Sequence, residues 1–179
     1  MSTMASSEAV PERVRVAVVG AGAVGCFFGA RLARAGHEVT LIGRPIHVEA
    51  IRASGLRLQG RDFDERIALG ASTELQAVRG ARLVLFCVKS TDTDAVAAGL
   101  HPWLADDAIV VSLQNGVDNA ERIAARLPQA VVIPSVVYVA TEMAGPGHVK
   151  HHGRGDLVIG ALQSPGEIAP LAQVKDWFA

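Results

Sequence analysis

Three glycines near the start of the chain, Gly20, Gly22 and Gly25, have the spacing of a loop that holds a phosphate group. They follow an apolar run typical of a strand and precede a segment with the pattern of a helix. In this setting the first glycine permits a tight turn, and the second lets a pyrophosphate approach the backbone. The third lets the helix pack closely on the strand.

The helix that begins at this loop would offer free N–H groups and the positive end of its dipole to the phosphates. The pattern therefore predicts a dinucleotide site; the alternative is a glycine-rich turn that binds nothing. The predicted cofactor contacts in the loop are Gly20, Ala21, Gly22, Ala23, Val24 and Gly25.

The end of the second strand decides which dinucleotide the site prefers. NAD-binding units usually carry Asp or Glu about 20 residues after the glycines, where the acid bonds the ribose 2′-hydroxyl. Here the second apolar run ends in Gly43 and Arg44, with no acid. An acid would repel a 2′-phosphate, whereas the guanidinium of Arg44 can form charge-assisted hydrogen bonds with one. The pattern favours NADP(H) over NAD(H); the alternative is a solvated loop arginine.

Two more polar groups follow predicted strands, where the carboxyl ends of a parallel sheet form a ligand crevice. Lys89 follows the run LVLFCV, and Asn115 follows AIVVSL within Gln114-Asn115-Gly116. Lys89 would face the ribose or phosphates of the cofactor. The Asn115 amide could bond both a nicotinamide ribose and a substrate oxygen, because it has donors and an acceptor. The alternatives are a surface lysine and a simple turn residue.

Strand and helix patterns alternate along the chain, which predicts right-handed βαβ crossovers. The fold class is α/β, a Rossmann-type doubly wound and mostly parallel sheet with an antiparallel edge hairpin near the C-terminus. The predicted strands are 14–19, 38–42, 56–59, 62–68, 83–88, 108–113 and 131–139. The predicted helices are 23–35, 46–54, 92–100, 119–127 and 167–179.

Local signals refine these predictions at four places. Gly36 follows the first helix in the position of a C-terminal cap, and Ser90 or Thr91 is predicted to cap the helix 92–100. The last hairpin is predicted to join strands 147–152 and 156–160 through a turn at Gly153-Arg154-Gly155. Strands 56–59 and 62–68 enclose a turn at Gly60 and indicate an insertion at the edge of the sheet.

The composition bounds the class of protein. The chain has 179 residues, half of them hydrophobic but only 4% aromatic, which suits one domain with buried parallel strands. A formal net charge of −1 gives no reason to expect nucleic acid or an anionic membrane as a partner. The sequence has no run of membrane-spanning length and no signal-peptide pattern. We expect a cytoplasmic protein.

The other candidate chemical groups are the cysteines and the histidines near the C-terminus. Cys26 and Cys87 lie in apolar stretches and are interpreted as reduced packing residues, with a redox pair as the alternative. His148, His151 and His152 fall on both faces of a predicted strand, which is poor geometry for three metal ligands. No metal site is therefore predicted.

Four motifs in order resemble the N-terminal domain of the 2-dehydropantoate 2-reductase (ketopantoate reductase) family, from about Val14 to Gly160. They read GxGAVGxxxGxxLxxxGHxVxLxxR, VK-S-x-D-T, LQNGV and PGHVxHxGxGxLxIG. The resemblance implies NADPH-dependent reduction of 2-dehydropantoate to pantoate in pantothenate synthesis. By position, the glycine loop, Lys89 and Asn115 match NADP-binding residues of the family. Asn115 also inherits a substrate contact, and Ala140 matches a backbone contact to the cofactor.

The family's general acid is a lysine on a second, helical domain, and no residue of this chain matches it. Lys175 lies before that domain would begin. The small, polar residues at the start of the chain predict a disordered tail at 1–13. The resemblance implies an NADP-binding domain at 14–165 and, at 166–179, the start of a helix leading to a missing C-terminal domain. We expect no catalytic residue within the chain. Apolar surface left without that domain would favour self-association as a homodimer.

Two other functions fit the same motifs. One is a related reductase that acts on a different 2-keto acid. The other is a stand-alone dinucleotide-sensing module that regulates a partner protein.

Overall fold

The most apolar runs of the chain form the centre of a nine-stranded sheet in the computed structural model, which describes residues 12–162 and 168–179. The predicted disordered tail, except for its last two residues, and the predicted domain boundary at 165–166 lie outside the described residues. The strands are β1 Arg15–Val19, β2 Glu38–Ile42, β3 Leu56–Gln59, β4 Asp64–Ile67, β5 Gly70–Ser72, β6 Leu83–Phe86, β7 Ile109–Ser112, β8 Val131–Gly145 and β9 His148–Ile159. The helices are α1 Ala23–Arg34, α2 Pro45–Ser54, α3 Thr93–Leu100, α4 Asn119–Arg126 and α5 Ile168–Trp177.

The sheet has the strand order β4-β3-β9-β8-β7-β6-β1-β2-β5. Every neighbouring pair from β8 to β5 is parallel, whereas β8 with β9 and β3 with β4 are antiparallel. All four residues of β6 and all four of β7 are buried, as expected for strands covered by helices on both faces. The predicted doubly wound α/β class is confirmed.

Two apolar cores lie on opposite faces of the sheet. On one face Phe27 and Phe28 of α1 are buried against β1, β2, β8 and β9, and the hairpin of β8 and β9 curls around this helix. On the other face Ile123 of α4 and Leu100 of α3 pack with Val84 and the rest of the second core. Helices therefore cover both faces of the central strands.

The predicted elements before the last hairpin agree with the structure to within about two residues at most ends. One correction concerns the start of α3: residues 90–92 form a short 3-10 helix, Asp92 stands at the N-cap position, and neither Ser90 nor Thr91 makes a capping hydrogen bond to α3. Ser90 instead donates to the Asn115 carbonyl oxygen. The short strand β5 and a 3-10 helix at Leu75–Val78 had no sequence prediction.

The predicted turn at Gly153-Arg154-Gly155 is wrong. The chain turns at Pro146 and Gly147, and 153–155 lie inside β9. All three of those residues have positive φ, and the pairing of β8 with β9 shifts register beside them, so the glycines accommodate a bulge instead of a turn. The antiparallel pair is present, but β3 and β4 lie beyond it, so β4 and β5 are the edge strands.

A buried histidine ties α5 to the first strand. The Val14 N–H donates to His37 Nδ1 at 3.3 Å, so Nε2 carries the proton and donates to the Trp177 carbonyl oxygen at 2.9 Å. Val174 and Trp177 are buried against the core around α1. The helix predicted at the end of the sequence is therefore part of this fold.

Candidate dinucleotide-binding site

An open groove of about 660 Å³ lies at the carboxyl ends of β1, β2 and β6. This position, between the loops that follow central parallel strands, is where doubly wound sheets bind ligands, and the volume is in the range of small-molecule sites. The residues that line the groove are Val19, Gly20, Ala21, Gly22, Ile42, Gly43, Arg44, Pro45, Thr73, Leu75, Cys87, Val88, Lys89, Asp92 and Val96.

The glycine loop forms the turn from β1 into α1. Gly20 has φ of +112°, and a Cβ there would lie 2.7 Å from the Cys87 carbonyl carbon. A Cβ on Gly25 would lie 2.2 Å from the Gly20 carbonyl oxygen. Both positions therefore require glycine, the first for backbone conformation and close approach and the second for packing of α1.

Gly22 is different, because nothing lies within 4 Å of the Cβ that another residue would have there. Its φ of −90° is open to any residue, so neither backbone conformation nor packing explains the glycine. It lines the groove at the N-cap position of α1. The space in front of it is what close approach of a ligand to the backbone requires.

The N-terminus of α1 points a positive dipole end at this space. The first helical hydrogen bond runs from the Cys26 N–H to the Gly22 carbonyl oxygen, so the N–H groups of Ala23, Val24 and Gly25 precede the helical ladder. The first turn contains no acidic residue. An anion is the ligand that such a helix end favours.

Two cations flank the groove. Arg44 is exposed at the N-cap position of α2 after β2, and Lys89 is exposed after β6. Neither forms an ion pair with any of the described residues, so both charges are available to a ligand. Asp92 is the acidic residue in the lining. The groove therefore combines a helix N-terminus with two flanking cations.

Five predicted contacts lie outside this lining: Ala23, Val24 and Gly25, which form the first turn of α1, and Asn115 and Ala140, which lie farther away along the sheet. Asn115 is exposed in the loop after β7, where its carbonyl oxygen accepts hydrogen bonds from Ser90 Oγ and Asn119 Nδ2. Ala140 is exposed on β8, paired with Gly153. The structure thus brings together the glycine loop, Arg44 and Lys89, and places Asn115 one strand beyond β6.

The structure adds lining residues that sequence reasoning missed. Among them are Pro45, Thr73, Leu75 and Val96. Thr73 and Leu75 follow β5, whose three residues have no periodic pattern long enough to reveal a strand. Pro45 did carry a signal, because proline favours the first position of a helix and it follows the groove arginine.

Both cysteines are free thiols near the glycine loop. Burial raises the pKa of the Cys26 thiol to about 12, and burial also raises the pKa of Cys87, which lines the groove. Raised pKa values lower the thiolate fraction and hence the reactivity of both groups. This favours the packing interpretation over a redox pair.

The histidines of β9 have partners of their own. His151 stacks on Phe27 with ring centroids 4.5 Å apart, and His152 lies 3.1 Å from Glu142 Oε1. His148 bonds Gln59 Oε1 at 2.9 Å. Within residues 12–162 and 168–179, no three His, Cys, Asp or Glu side chains are grouped as metal ligands. No helix in that part of the chain is both long and apolar enough to cross a bilayer.

Solved structures resemble this fold closely. A PanE/ApbA family ketopantoate reductase from Ralstonia eutropha JMP134 is 56% identical, with a TM-score of 0.82, over 91% of this chain and 54% of that one. A D-mandelate dehydrogenase, solved with NADH and anilino(oxo)acetate, is 25% identical with a TM-score of 0.82, over 92% of this chain and 53% of that one.

Sequence relatives give the same family. The 2-dehydropantoate 2-reductase of Halobacterium salinarum is 36% identical over 93% of this chain and 55% of its own length. That of Pyrococcus horikoshii is 33% identical over 92% of this chain and 53% of its own length. The chain therefore spans about half the length of these relatives. The family model described as ketopantoate reductase PanE/ApbA matches residues 16–164, and the chain belongs to this family.

Proposed function

We propose that this chain is the NADP(H)-binding half of a reductase that converts 2-dehydropantoate to pantoate. The observation that carries the proposal is the groove in which Gly22 opens toward the N-terminus of α1, with Arg44 and Lys89 on its flanks. A pyrophosphate fits the helix end, and a 2′-phosphate fits the guanidinium after β2. The bound nicotinamide would supply the hydride.

The residues of the chain have separate parts in this proposal. The glycine loop holds the pyrophosphate, Arg44 holds the 2′-phosphate, and Lys89 adds positive charge beside the cofactor. Asn115, one strand further along, bonds the nicotinamide ribose and the substrate, and Ala140 offers a backbone contact. Since reduction of a ketone also needs a proton donor in a crevice closed to water, we infer that the part of the longer relatives beyond this match supplies the acid.

A second candidate is a reductase of another 2-keto acid. It is supported by the likeness to D-mandelate dehydrogenase, whose structure was solved with NADH and anilino(oxo)acetate. In that case the groove would be the same and the substrate residues would differ. Comparing 2-dehydropantoate with other 2-keto acids as substrates of the extended protein separates the two candidates.

The test of the cofactor is a fluorescence titration with NADPH and NADH side by side. Arg44 would add one or two charge-assisted hydrogen bonds at about 1.5–3 kcal/mol each, so NADPH should bind roughly 10–100-fold tighter. Arg44→Ala should remove most of that preference. Arg52→Ala is a matched control, because Arg52 lies on the same helix but bonds the Ala71 carbonyl oxygen. Equal affinities for the two cofactors in the unaltered chain would refute the 2′-phosphate site.

A further inference from the structure

Two loops at neighbouring strand ends are joined by a set of side-chain hydrogen bonds centred on the buried Asn119. One loop follows β6 and contains Ser90; the other follows β7 and contains Asn115. We propose that Asn119 is a positioning residue that holds Asn115 beside the groove, and that it thereby controls binding of the nicotinamide half of the dinucleotide. This inference rests on the proposed function.

Asn119 is the first residue of α4, and only 2% of its surface is exposed. Its Nδ2 donates to the Asn115 carbonyl oxygen at 2.8 Å and to Ser90 Oγ at 3.2 Å. Ser90 Oγ in turn donates to the same carbonyl oxygen at 3.1 Å. One backbone carbonyl, that of Asn115, thus receives two side-chain hydrogen bonds, which fixes the loop against both α4 and the 3-10 turn after Lys89.

A second set of bonds fixes the Asn119 amide itself. Its Oδ1 accepts from Thr93 Oγ1 at 3.2 Å and from Arg122 Nη1 at 3.4 Å. Gln114 Nε2 donates to Thr93 Oγ1 at 2.8 Å and to the Val88 carbonyl oxygen at 3.0 Å. Thr93 and Gln114 are both buried, so these bonds form away from water, where an unpaired polar group is costly.

The donors and acceptors are satisfied in one arrangement only. Gln114 donates to the Thr93 hydroxyl, which donates to the Asn119 oxygen; the Asn119 nitrogen donates to the Ser90 hydroxyl, which donates to Asn115. A side chain at position 119 must therefore accept on one side and donate on the other. An amide does this, whereas a carboxylate would place an acceptor against the Asn115 carbonyl oxygen.

Gly116 provides the space that this contact needs. A Cβ at position 116 would lie 2.8 Å from Asn119 Nδ2. Glycine after Asn115 therefore has a second role besides forming the turn, because it lets the Asn119 amide reach the loop backbone.

The order of the strand ends indicates which half of the ligand depends on Asn115. Arg44 follows β2, the glycine loop follows β1, and Asn115 follows β7, which lies beyond β6 on the other side of β1. A dinucleotide with its 2′-phosphate at Arg44 and its pyrophosphate at α1 extends its nicotinamide half toward β7. The adenosine half lies away from Asn119.

The experiment compares two ligands, NADPH and adenosine 2′,5′-bisphosphate, on the same set of variants. Asn119→Ala should weaken NADPH binding about tenfold, the effect of losing roughly one hydrogen bond at the ligand, and leave bisphosphate binding unchanged. Asn115→Ala should do the same, and the double variant should bind NADPH no more weakly than Asn115→Ala alone. Arg126→Ala is the control, because Arg126 lies on α4 but pairs with Asp94.

Each result of these titrations either supports or overturns the positioning role of Asn119. Unchanged NADPH affinity in Asn119→Ala, or an equal loss for both ligands, would overturn the positioning role while leaving the dinucleotide site intact. If Asn119→Ala does not fold, Ser90→Ala is the second variant, because Ser90 is half-buried and donates one of the two hydrogen bonds to the Asn115 carbonyl oxygen. This variant should also lose affinity for NADPH and keep its affinity for the bisphosphate. Failure of the unaltered chain to bind either ligand would refute the proposed function, and this inference with it.

Discussion

Gly22 and Gly25 belong to one sequence motif, yet their surroundings in the structure are opposite. Replacing each with a larger residue should therefore affect cofactor binding at Gly22 and fold stability at Gly25. Gly22 faces open space, whereas a Cβ on Gly25 would lie 2.2 Å from the Gly20 carbonyl oxygen and 3.0 Å from Val18 Cγ1. We predict that Gly22→Val abolishes cofactor binding and spares the fold. We predict that Gly25→Ala destabilises the fold itself.

The free energy of unfolding should change little in Gly22→Val. Valine is a poorer N-cap residue than glycine, which costs about 0.5–1 kcal/mol, and the stiffer unfolded chain returns a similar amount. Cofactor binding should change greatly, because the valine side chain would occupy the space in front of the α1 N-terminus. Losing two charge-assisted bonds to a phosphate, at about 1.5–3 kcal/mol each, lowers affinity by more than about 100-fold.

Gly25→Ala should lower the free energy of unfolding. Alanine would gain about 1 kcal/mol in helix propensity, but the contact with the Gly20 carbonyl oxygen requires α1 to move by nearly an ångström away from β1. Forcing such a shift in a packed core typically costs about 1–3 kcal/mol, and backbone atoms yield less than side chains. Because the contact is with a backbone atom, the cost should be about 2–3 kcal/mol, which leaves a net loss of about 1–2 kcal/mol after the gain in helix propensity.

Urea denaturation measures the free energy of unfolding, and fluorescence titration measures the affinity for NADPH. A Gly22→Val chain that binds NADPH with unchanged affinity would show that the phosphates lie elsewhere. A Gly25→Ala chain as stable as the unaltered one would show that α1 does not pack on β1 as described. Gly160→Ala is the control for a general glycine effect, since Gly160 lies outside the groove lining, nothing lies within 4 Å of its Cβ position and its φ is not positive.

Three further predictions follow from the site and its surroundings. The chain alone should bind NADPH but show no 2-dehydropantoate-dependent NADPH oxidation, and extension by the remaining half of the family's length should restore turnover; turnover by the chain alone would point to an acid within it, with Lys89 the first to test. Burial and the charge of Arg44 lower the pKa of His47, whose Nδ1 is buried with no hydrogen-bond partner among the described residues. The unfolded chain then takes up the proton more readily, so the free energy of unfolding should fall as pH drops from about 6.5 through the lowered pKa. His47→Gln should flatten this dependence, and an unchanged urea-denaturation profile between pH 5.5 and 7.5 would contradict it. Because burial raises the pKa of the Cys26 thiol to about 12, Cys26 should resist alkylation by iodoacetamide at pH 8 in the folded chain. Mass spectrometry measures this alkylation, and rapid labelling of Cys26 would contradict the prediction.

The sequence by itself determined the parts of the site that depend on local chemistry. Three features come just after buried strands: the glycine loop after β1, Arg44 after β2 and Lys89 after β6. These strands were visible in the sequence as short runs of apolar residues. Because the carboxyl ends of parallel strands meet at one edge, alternation of strands and helices was enough to place these three features together. The motif also predicted the close packing at Gly25, where a Cβ would meet the Gly20 carbonyl oxygen.

Tertiary structure decided the features that depend on distant partners. The strand β9 continues through 153–155 with alternating burial and pairs with β8 there. This pairing overrides the local preference of Gly-Arg-Gly for a turn, and the two glycines instead accommodate a bulge. The strand β5 has only three residues and exists because β2 offers it an edge. The bonds between Asn119 and Ser90 join residues that are 29 positions apart. Local sequence carries no trace of such contacts, since they arise only when the sheet brings the ends of β6 and β7 side by side.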